Sequence, residues 1–156
     1  MDYQAYLLRV IADELGLKQA EDIARQPGMR AVYRLTIRYH DNRSFDSVAT
    51  LSRYVTDLPR LEIAYQELFN HKPLTLDIEQ VRFDAFAGAL LKLRFDHTAD
   101  QPNIPAYGVD LWMLERAAGG FAKSIILAPK LAQGIHAELV AAVQEHLPEA
   151  VKEVWR

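Results

Sequence analysis

The residues best suited to acid–base or metal chemistry lie in and just after one irregular segment, residues 96–108. Asp96, His97 and Asp100 are closely spaced in this segment, and Asp110 follows it. A histidine near carboxylates can share a metal ion with them or form a general acid–base pair. Carboxylates in such a loop also cap turns and helix ends, which is the alternative interpretation. The pattern therefore offers a hydrolase-type site as one hypothesis, but it has no ligand spacing that predicts a metal.

A second set of candidate residues lies on a predicted strand. Arg34, Arg38 and His40 alternate with aromatic and aliphatic residues, so their side chains share one face of that strand. We expect this face to be solvated and basic, and the planar guanidinium suits phosphate or carboxylate groups. Anion or nucleic-acid binding is therefore another hypothesis. Nucleic acid is the less favoured ligand, because the tyrosines of the strand point the other way instead of interleaving with the arginines.

Several common catalytic signatures are missing from the sequence. It contains no cysteine, which excludes disulfides, Cys-based zinc sites, iron–sulfur clusters and a cysteine nucleophile. It has no Gly-x-Ser-x-Gly elbow and no phosphate-binding loop, and Gly119-Gly120 does not extend to a dinucleotide-binding fingerprint. We therefore predict no cofactor and no metal, and the question of enzymatic activity stays open.

The composition is typical of an ordinary globular domain. The chain has 156 residues, half of them hydrophobic and a quarter charged, and its formal net charge of −3 is too small to indicate a polyanionic partner. No basic segment precedes an apolar run near the N-terminus, and no apolar run approaches the roughly 20 residues of a membrane span. We expect one domain over residues 1–156, located in the cytoplasm, of prokaryotic type and without membrane association.

The elements that must position the candidate residues begin with a helix and a β-hairpin. Apolar residues at helical spacing predict a helix over about residues 3–15, and Gly16 ends it. From position 32 the pattern alternates, and a second alternation follows the turn at 41–43. This pattern predicts a hairpin over about 32–51.

One register of this hairpin suits its side chains best. A three-residue loop places Tyr39 opposite Phe45 and Arg38 opposite Asp46, and both are favourable cross-strand pairs. A shift by one residue would place Ile37 opposite Asp46, which is worse. We therefore predict the three-residue loop.

A second hairpin is predicted over about residues 109–128, where two apolar runs flank Ala118-Gly119-Gly120. A three-residue loop there pairs Glu115 with Lys123. A two-residue Gly-Gly loop sets Arg116 against Lys123, a like-charge pair. We therefore predict the three-residue loop again. Both faces of this hairpin are apolar, so both need to be covered.

Helices are predicted between and after the hairpins. One spans about residues 57–70, another begins near Asp77, and the last follows Pro129. The helix that begins near Asp77 is predicted to have one apolar stripe, widened by Phe86 and Leu90, that comprises Ile78, Val81, Ala85, Ala89 and Leu93. The resulting order, α-ββ-αα-ββ-α, predicts an α+β domain whose antiparallel sheet has about four strands, with helices mainly on one face.

These observations favour a non-catalytic binding or interaction protein. Trp155 is a large apolar side chain near the end of the chain, and small α+β domains with sheet edges frequently form two-fold dimers. We expect a protein partner or self-association as a homodimer. The alternatives are the hydrolase-type enzyme at Asp96, His97, Asp100 and Asp110, and anion or nucleic-acid binding through Arg34, Arg38 and His40.

Overall fold

A computed structural model describes residues 2–156, apart from the side chains of Asp2 and His71. These described residues form an α+β fold, with a single antiparallel sheet of six strands in the order β4-β3-β2-β1-β5-β6. In chain order the elements are α1 (Asp2–Glu14), α2 (Ala20–Ala24), β1 (Met29–Arg38), β2 (Ser47–Tyr54), β3 (Arg60–Tyr65), β4 (Leu74–Asp77), α3 (Gln80–Lys92), β5 (Leu111–Ala118), β6 (Phe121–Leu127) and α4 (Ile135–His146). Short 3-10 helices lie at 69–71, 95–97, 129–131 and 148–151. Within the described residues, no helix is both long and apolar enough to cross a membrane.

The first hairpin has the predicted register. Ile37 lies opposite Ser47 and Leu35 lies opposite Ala49. Regular pairing stops just before the loop, where the Asp46 carboxylate accepts a hydrogen bond of 2.9 Å from the backbone N–H of Tyr39. The cross-strand preferences of the aromatic and charged residues therefore predicted the correct alignment.

The segment predicted as a helix over 57–70 instead contributes a strand to the sheet, so that prediction was wrong. Leu61, Ile63 and Tyr65 are all buried on the same face of β3, which is the alternation of a strand. The apolar spacing of four between Leu61 and Tyr65 fits both a helical turn and two strand repeats. The segment forms a strand because it pairs with β2 on one side and with β4 on the other. The sheet therefore has six strands instead of the expected four.

The second hairpin has the two-residue loop, and the predicted register is wrong by one residue. Ala118 lies opposite Phe121 and Arg116 lies opposite Lys123, around the Gly119-Gly120 turn. The like-charge pair is tolerated because Asp96 lies 3.3 Å from the Arg116 guanidinium and offsets its charge. Glu115, which was expected to pair with Lys123, faces the opposite side of the sheet.

Helices cover both faces of the sheet, so the prediction of helices mainly on one face was also wrong. On one side, α1 and α2 pack on residues such as Val32, Val48 and Met113; we call this the α1/α2 face. On the other, α3 and α4 pack on the tyrosine side of β1; we call this the α3/α4 face. The two apolar faces of the second hairpin explain the arrangement, since each buries its side chains under a different helix pair.

The helix after β4 begins at Gln80 and buries only part of the predicted stripe. Phe86 and Leu90 face the core as predicted, and Phe83 joins them, whereas Val81 is 70% exposed. Burial of two aromatic rings against Tyr33 outweighs burial of the smaller residues of the predicted stripe, because aromatic side chains bury more apolar area.

Candidate functional site

A cleft opens on the α1/α2 face where the helices leave part of the sheet uncovered. Its cavity volume is about 390 Å³, and we call it the Arg34 cleft. Strands β1, β2 and β3 form its floor, and the α1–α2 connection, α2 and the β2–β3 loop form its walls. Its lining comprises Gly16, Leu17, Lys18, Ile23, Gln26, Met29, Arg34, Val48, Thr50, Ser52, Tyr54, Asp57, Leu58, Arg60, Glu62, Ala64 and Pro73.

Arg34 is the most deeply buried charged residue of the cleft, with only 3% of its surface exposed. Its Nε donates to Thr50 Oγ1 at 3.0 Å, and its Nη1 donates to the backbone carbonyl of Lys18 at 2.8 Å. Both acceptors are neutral. Within the described residues, Nη2 makes no hydrogen bond and the guanidinium makes no ion pair with a carboxylate.

The electrostatic environment of Arg34 combines burial with two carboxylates that form no ion pair with it. Burial lowers the pKa of Arg34, and the negative charges of Glu115 and Glu62 oppose that shift. Glu115 lies opposite Arg34 on β5, and burial raises the pKa of its carboxyl group. The guanidinium is therefore desolvated, and its charge is only partly balanced by the protein.

The end of α1 positions the wall of the cleft nearest Arg34. Gly16 adopts φ +70°, its N–H donates to Asp13 O at 3.0 Å, and the N–H of Leu17 donates to Ala12 O at 3.1 Å. This hydrogen-bond pair is a Schellman motif, completed by the packing of Leu17 against the cluster that contains Ala12. The motif turns the chain sharply, so that the carbonyl of Lys18 points at Arg34.

The second notable cluster lies at the other end of β1, and we call it the Asp110 cluster. It comprises His40, Asp41, Arg43, Asp110, Lys130 and Glu153. The Asp110 side chain is 4% exposed and lies 2.8 Å from His40 Nδ1 and 2.6 Å from Arg43 Nη2. Burial opposes ionisation of Asp110, but the hydrogen bonds from Arg43 and His40 prevail and hold its pKa below the usual range.

Arg43 is the centre of this cluster. Besides Asp110, it binds Asp41 at 2.8 Å and Glu153 at 2.9 Å, and the hydrogen bonds to Asp110 and Glu153 raise its pKa. Ligand atoms of His40, Asp41 and Asp110 lie within 4.8 Å of one another, a spacing that suits a metal ion. A metal there would have to displace the guanidinium from both carboxylates.

The contacts of the Asp110 cluster join four segments of the chain: the β1–β2 loop, the start of β5, the 3-10 helix at 129–131 and the C-terminal segment. Glu153 belongs to the C-terminal segment, in which Val154 and Trp155 also pair with Ser44 and Phe45 of the β1–β2 loop. The cluster thus fastens the loop and the C-terminal segment to the start of β5. His40 and Asp110 also form the pairing that acid–base catalysis uses, but neither residue lines the Arg34 cleft.

The structure does not bring the four predicted catalytic residues together. Asp96 pairs with Arg116, whereas Asp110 precedes the opposite end of β5, roughly 20 Å away for six residues of strand. Asp100 accepts a hydrogen bond of 2.8 Å from the backbone N–H of Ile126 and so fixes the loop to β6. His97 lies beside Asp96 in a groove of about 480 Å³ along α3.

The predicted basic face is also divided. Arg34 is buried instead of solvated, and Arg38 lies about 13 Å farther along β1. Helix α1 packs between them, over Val48 and Met113, and thereby buries Thr36. His40 lies beyond Arg38 in the Asp110 cluster. The three residues therefore do not form a common surface.

Sequence patterns missed residues that complete the Arg34 cleft and the Asp110 cluster. Thr50 lies opposite Arg34 in the predicted register of the first hairpin, but Glu62 becomes a neighbour only because β3 is a strand. Lys18 contributes a backbone atom that has no sequence signature. No protein-family model matches the chain, and no curated protein matches it.

Proposed function

We propose that this protein is a non-catalytic binding protein that holds a small molecule bearing an anionic group in the Arg34 cleft. The observation that carries the proposal is the buried guanidinium of Arg34, which lines a cleft and has no carboxylate partner among the described residues. Its Nη2 group is the donor left for the ligand. A carboxylate or phosphate oxygen accepts such a charge-assisted hydrogen bond well.

The energetic argument concerns the cost of burying a charge. An unpaired ion in a protein interior costs several kcal/mol unless a partner or hydrogen bonds compensate it. Thr50 and Lys18 supply two neutral acceptors, and the charges of Glu115 and Glu62 balance Arg34 in part without forming an ion pair with it. An anionic ligand would supply the missing charge, and its binding would therefore stabilise the folded protein.

The position of the histidine–carboxylate pair supports binding rather than catalysis. His40 and Asp110 lie at the far end of β1, where the carboxylate of Asp110 is saturated by protein cations. Among the described residues, no histidine lines the Arg34 cleft. The cysteine-free composition suits a reducing cytoplasm, where we place this function.

The test of this function is a binding measurement with simple anions. We expect 4-methylpentanoate, benzoate or inorganic phosphate to raise the melting temperature in a saturable manner, because a ligand that binds only the folded state stabilises it. Arg34→Met should abolish the effect. Arg38→Met, on the same face of β1 but outside the cleft, is the matched control and should preserve it. Binding by none of these anions, or equal binding to the Arg34 variant, would contradict the proposal.

A second proposal is self-association through the edge strand β4. All four of its residues are exposed, including Leu74 and Leu76, and its outer edge has no strand partner among the described residues. An antiparallel pairing of two copies about Thr75 would set Leu74 of one copy opposite Leu76 of the other, twice. Such pairing is the usual route by which exposed sheet edges associate.

This second proposal is tested by the mass in solution. We expect a dimer by light scattering at high protein concentration, and we expect Leu76→Lys to shift it to the monomer. A mass near 17.8 kDa for the unmodified protein would overturn it. Leu131→Lys, at an exposed apolar residue away from β4, is the control.

A further inference from the structure

The floor of the Arg34 cleft carries both signs of charge in one cross-strand row. Arg34 lies opposite Thr50, and Thr50 lies opposite Glu62. With adjacent strands about 4.8 Å apart, the Cα atoms of Arg34 and Glu62 are separated by about 10 Å. The hydrogen bond from Arg34 Nε to Thr50 Oγ1 directs the guanidinium to the side of Arg34 on which Thr50 and Glu62 lie.

The gap between the two charges is too wide for a direct ion pair. No ion pair joins Arg34 and Glu62, although the charge of Glu62 is close enough to influence the pKa of Arg34. A ligand that lies over Thr50 therefore meets a cation on one side and a carboxylate on the other. A purely anionic ligand gains the attraction of Arg34 but is weakened by the charge of Glu62, and a purely cationic ligand is repelled by Arg34.

The other charged residues of the cleft do not change this balance. Arg60 lies directly opposite Asp77 on the neighbouring strand, so it has an acidic neighbour of its own. Lys18 is exposed at the rim, and so is Asp57. The charges that a ligand meets on the floor of the cleft are therefore the cation of Arg34 and the carboxylate of Glu62.

The walls of the cleft are apolar above this row. Leu17, Ile23, Met29 and Leu58 line them, and the volume of about 390 Å³ lies within the range of small-molecule sites. A branched or unbranched aliphatic group would contact these walls while its polar end lay on the floor.

We infer that the ligand of the Arg34 cleft is a zwitterion of the α-amino acid class with an apolar side chain. Its carboxylate accepts hydrogen bonds from Arg34, and its ammonium group lies toward Glu62. This inference rests on the proposed anion-binding function and narrows it to one chemical class. It involves no covalent step, so the ligand is bound and released unchanged.

The test compares three molecules that differ by one group each, titrated into the full-length protein by calorimetry. L-leucine carries both charges, 4-methylpentanoate lacks the ammonium group, and 3-methylbutylamine lacks the carboxylate. We expect L-leucine to bind at least tenfold more tightly than 4-methylpentanoate, and 3-methylbutylamine to show no binding.

A matched pair of variants locates the ammonium group. Glu62→Gln should weaken the binding of L-leucine at least tenfold and leave the affinity for 4-methylpentanoate unchanged or slightly higher. Glu138→Gln, on α4 at the opposite face of the sheet, should change neither affinity. Circular dichroism and melting temperature of each variant verify that it is folded.

The outcomes separate the two proposals. If 4-methylpentanoate binds as tightly as L-leucine, or if Glu62→Gln weakens both equally, the zwitterion inference is overturned while anion binding stands. If 4-methylpentanoate, benzoate and phosphate all fail to bind, the proposed function is overturned, and the zwitterion inference with it, because the inference rests on that function. Binding of L-leucine that survives Arg34→Met would contradict both.

Discussion

Two arginines of the first hairpin, Arg34 and Arg43, differ in how the protein treats their charge. Arg43 lies at the hairpin loop and binds three carboxylates, those of Asp41, Asp110 and Glu153. Arg34 lies in the middle of β1, is more deeply buried, and binds only a hydroxyl and a backbone carbonyl.

The difference assigns the two residues different roles. The guanidinium of Arg43 is saturated, so its interactions hold the loop, β5 and the C-terminal segment together. The guanidinium of Arg34 retains an unused donor beside a cleft, so its position favours ligand binding at the expense of stability. Such a trade between stability and function is common at binding sites.

The largest expected effect comes from Asp110, the buried partner of Arg43. Asp110→Asn removes the carboxylate and leaves Arg43, His40 and Lys130 facing a neutral group. Breaking a buried ion pair on one side typically costs about 3–5 kcal/mol of unfolding free energy. Urea denaturation at pH 7 measures it; a loss below about 1 kcal/mol would show that the cluster is not structural.

The same variant should reveal the pH dependence of this contribution. The pKa of Asp110 is lowered in the folded state, so its stabilisation is present above the ordinary aspartate pKa of about 3.9 and is lost as pH falls toward the folded value. The difference between wild type and Asp110→Asn should therefore be constant from about pH 5 to 7 and shrink below about pH 4. A difference that grows on acidification would refute this assignment.

An intermediate effect is expected at the wall of the Arg34 cleft. Gly16 has φ +70°, and although a Cβ there would meet no atom within 4 Å, the conformation itself is unfavourable for alanine. Gly16→Ala should lower the unfolding free energy by about 1–2 kcal/mol. Because the turn carries Lys18, ligand affinity should fall as well. Gly88→Ala, within α3, is the control and should not destabilise the protein.

A smaller effect is expected when the charge of Arg34 is removed. Arg34→Met trades two hydrogen bonds for the relief of a buried, unpaired charge, and we expect the unfolding free energy to change by less than about 1 kcal/mol. Ligand binding should nevertheless disappear. Denaturation and calorimetry on the same preparation test both parts; destabilisation comparable to that of Asp110→Asn would mean that Arg34 is a structural residue.

The smallest effect concerns Arg116. With one carboxylate partner, Asp96, it is intermediate between Arg34, which has none, and Arg43, which has three. Lys123 opposes it on β6, so Lys123→Glu replaces a like-charge pair with an opposite-charge pair. A gain of about 0.2–1 kcal/mol is expected from thermal unfolding. Lys130→Glu should instead lower the thermal stability, because Lys130 lies 3.6 Å from Asp110 and a glutamate there would repel that carboxylate.

The sequence predicted those parts of the fold that depend on neighbours close in the chain. The register of the first hairpin followed from Tyr39, Phe45, Arg38 and Asp46, which lie a few residues apart. The register of the second hairpin did not follow from nearby residues. The residue that relieves its like charges, Asp96, precedes Arg116 by a long loop, and no local rule includes it.

The candidate site was the least predictable part, for a related reason. Alternation placed Arg34 on the side of β1 opposite the tyrosines, and this orientation is correct. Arg34 was predicted to be exposed, because charged residues are usually found at the surface. That prediction was wrong, because α1, α2 and the segment between them cover its part of the face. The third strand was taken for a helix, and Glu62 therefore could not be recognised as part of the site.

The most direct test of the central claim observes the Arg34 side chain while a ligand binds. In ¹⁵N-labelled protein, the Nε–H signal of Arg34 is assigned by its loss in Arg34→Met, and L-leucine and 4-methylpentanoate are then titrated. We predict that this signal shifts in a saturable manner with the ligand that binds, while the Nε–H signals of Arg38 and Arg43 stay in place. Saturable binding that leaves the Arg34 signal unmoved would contradict the claim that its buried guanidinium holds the ligand.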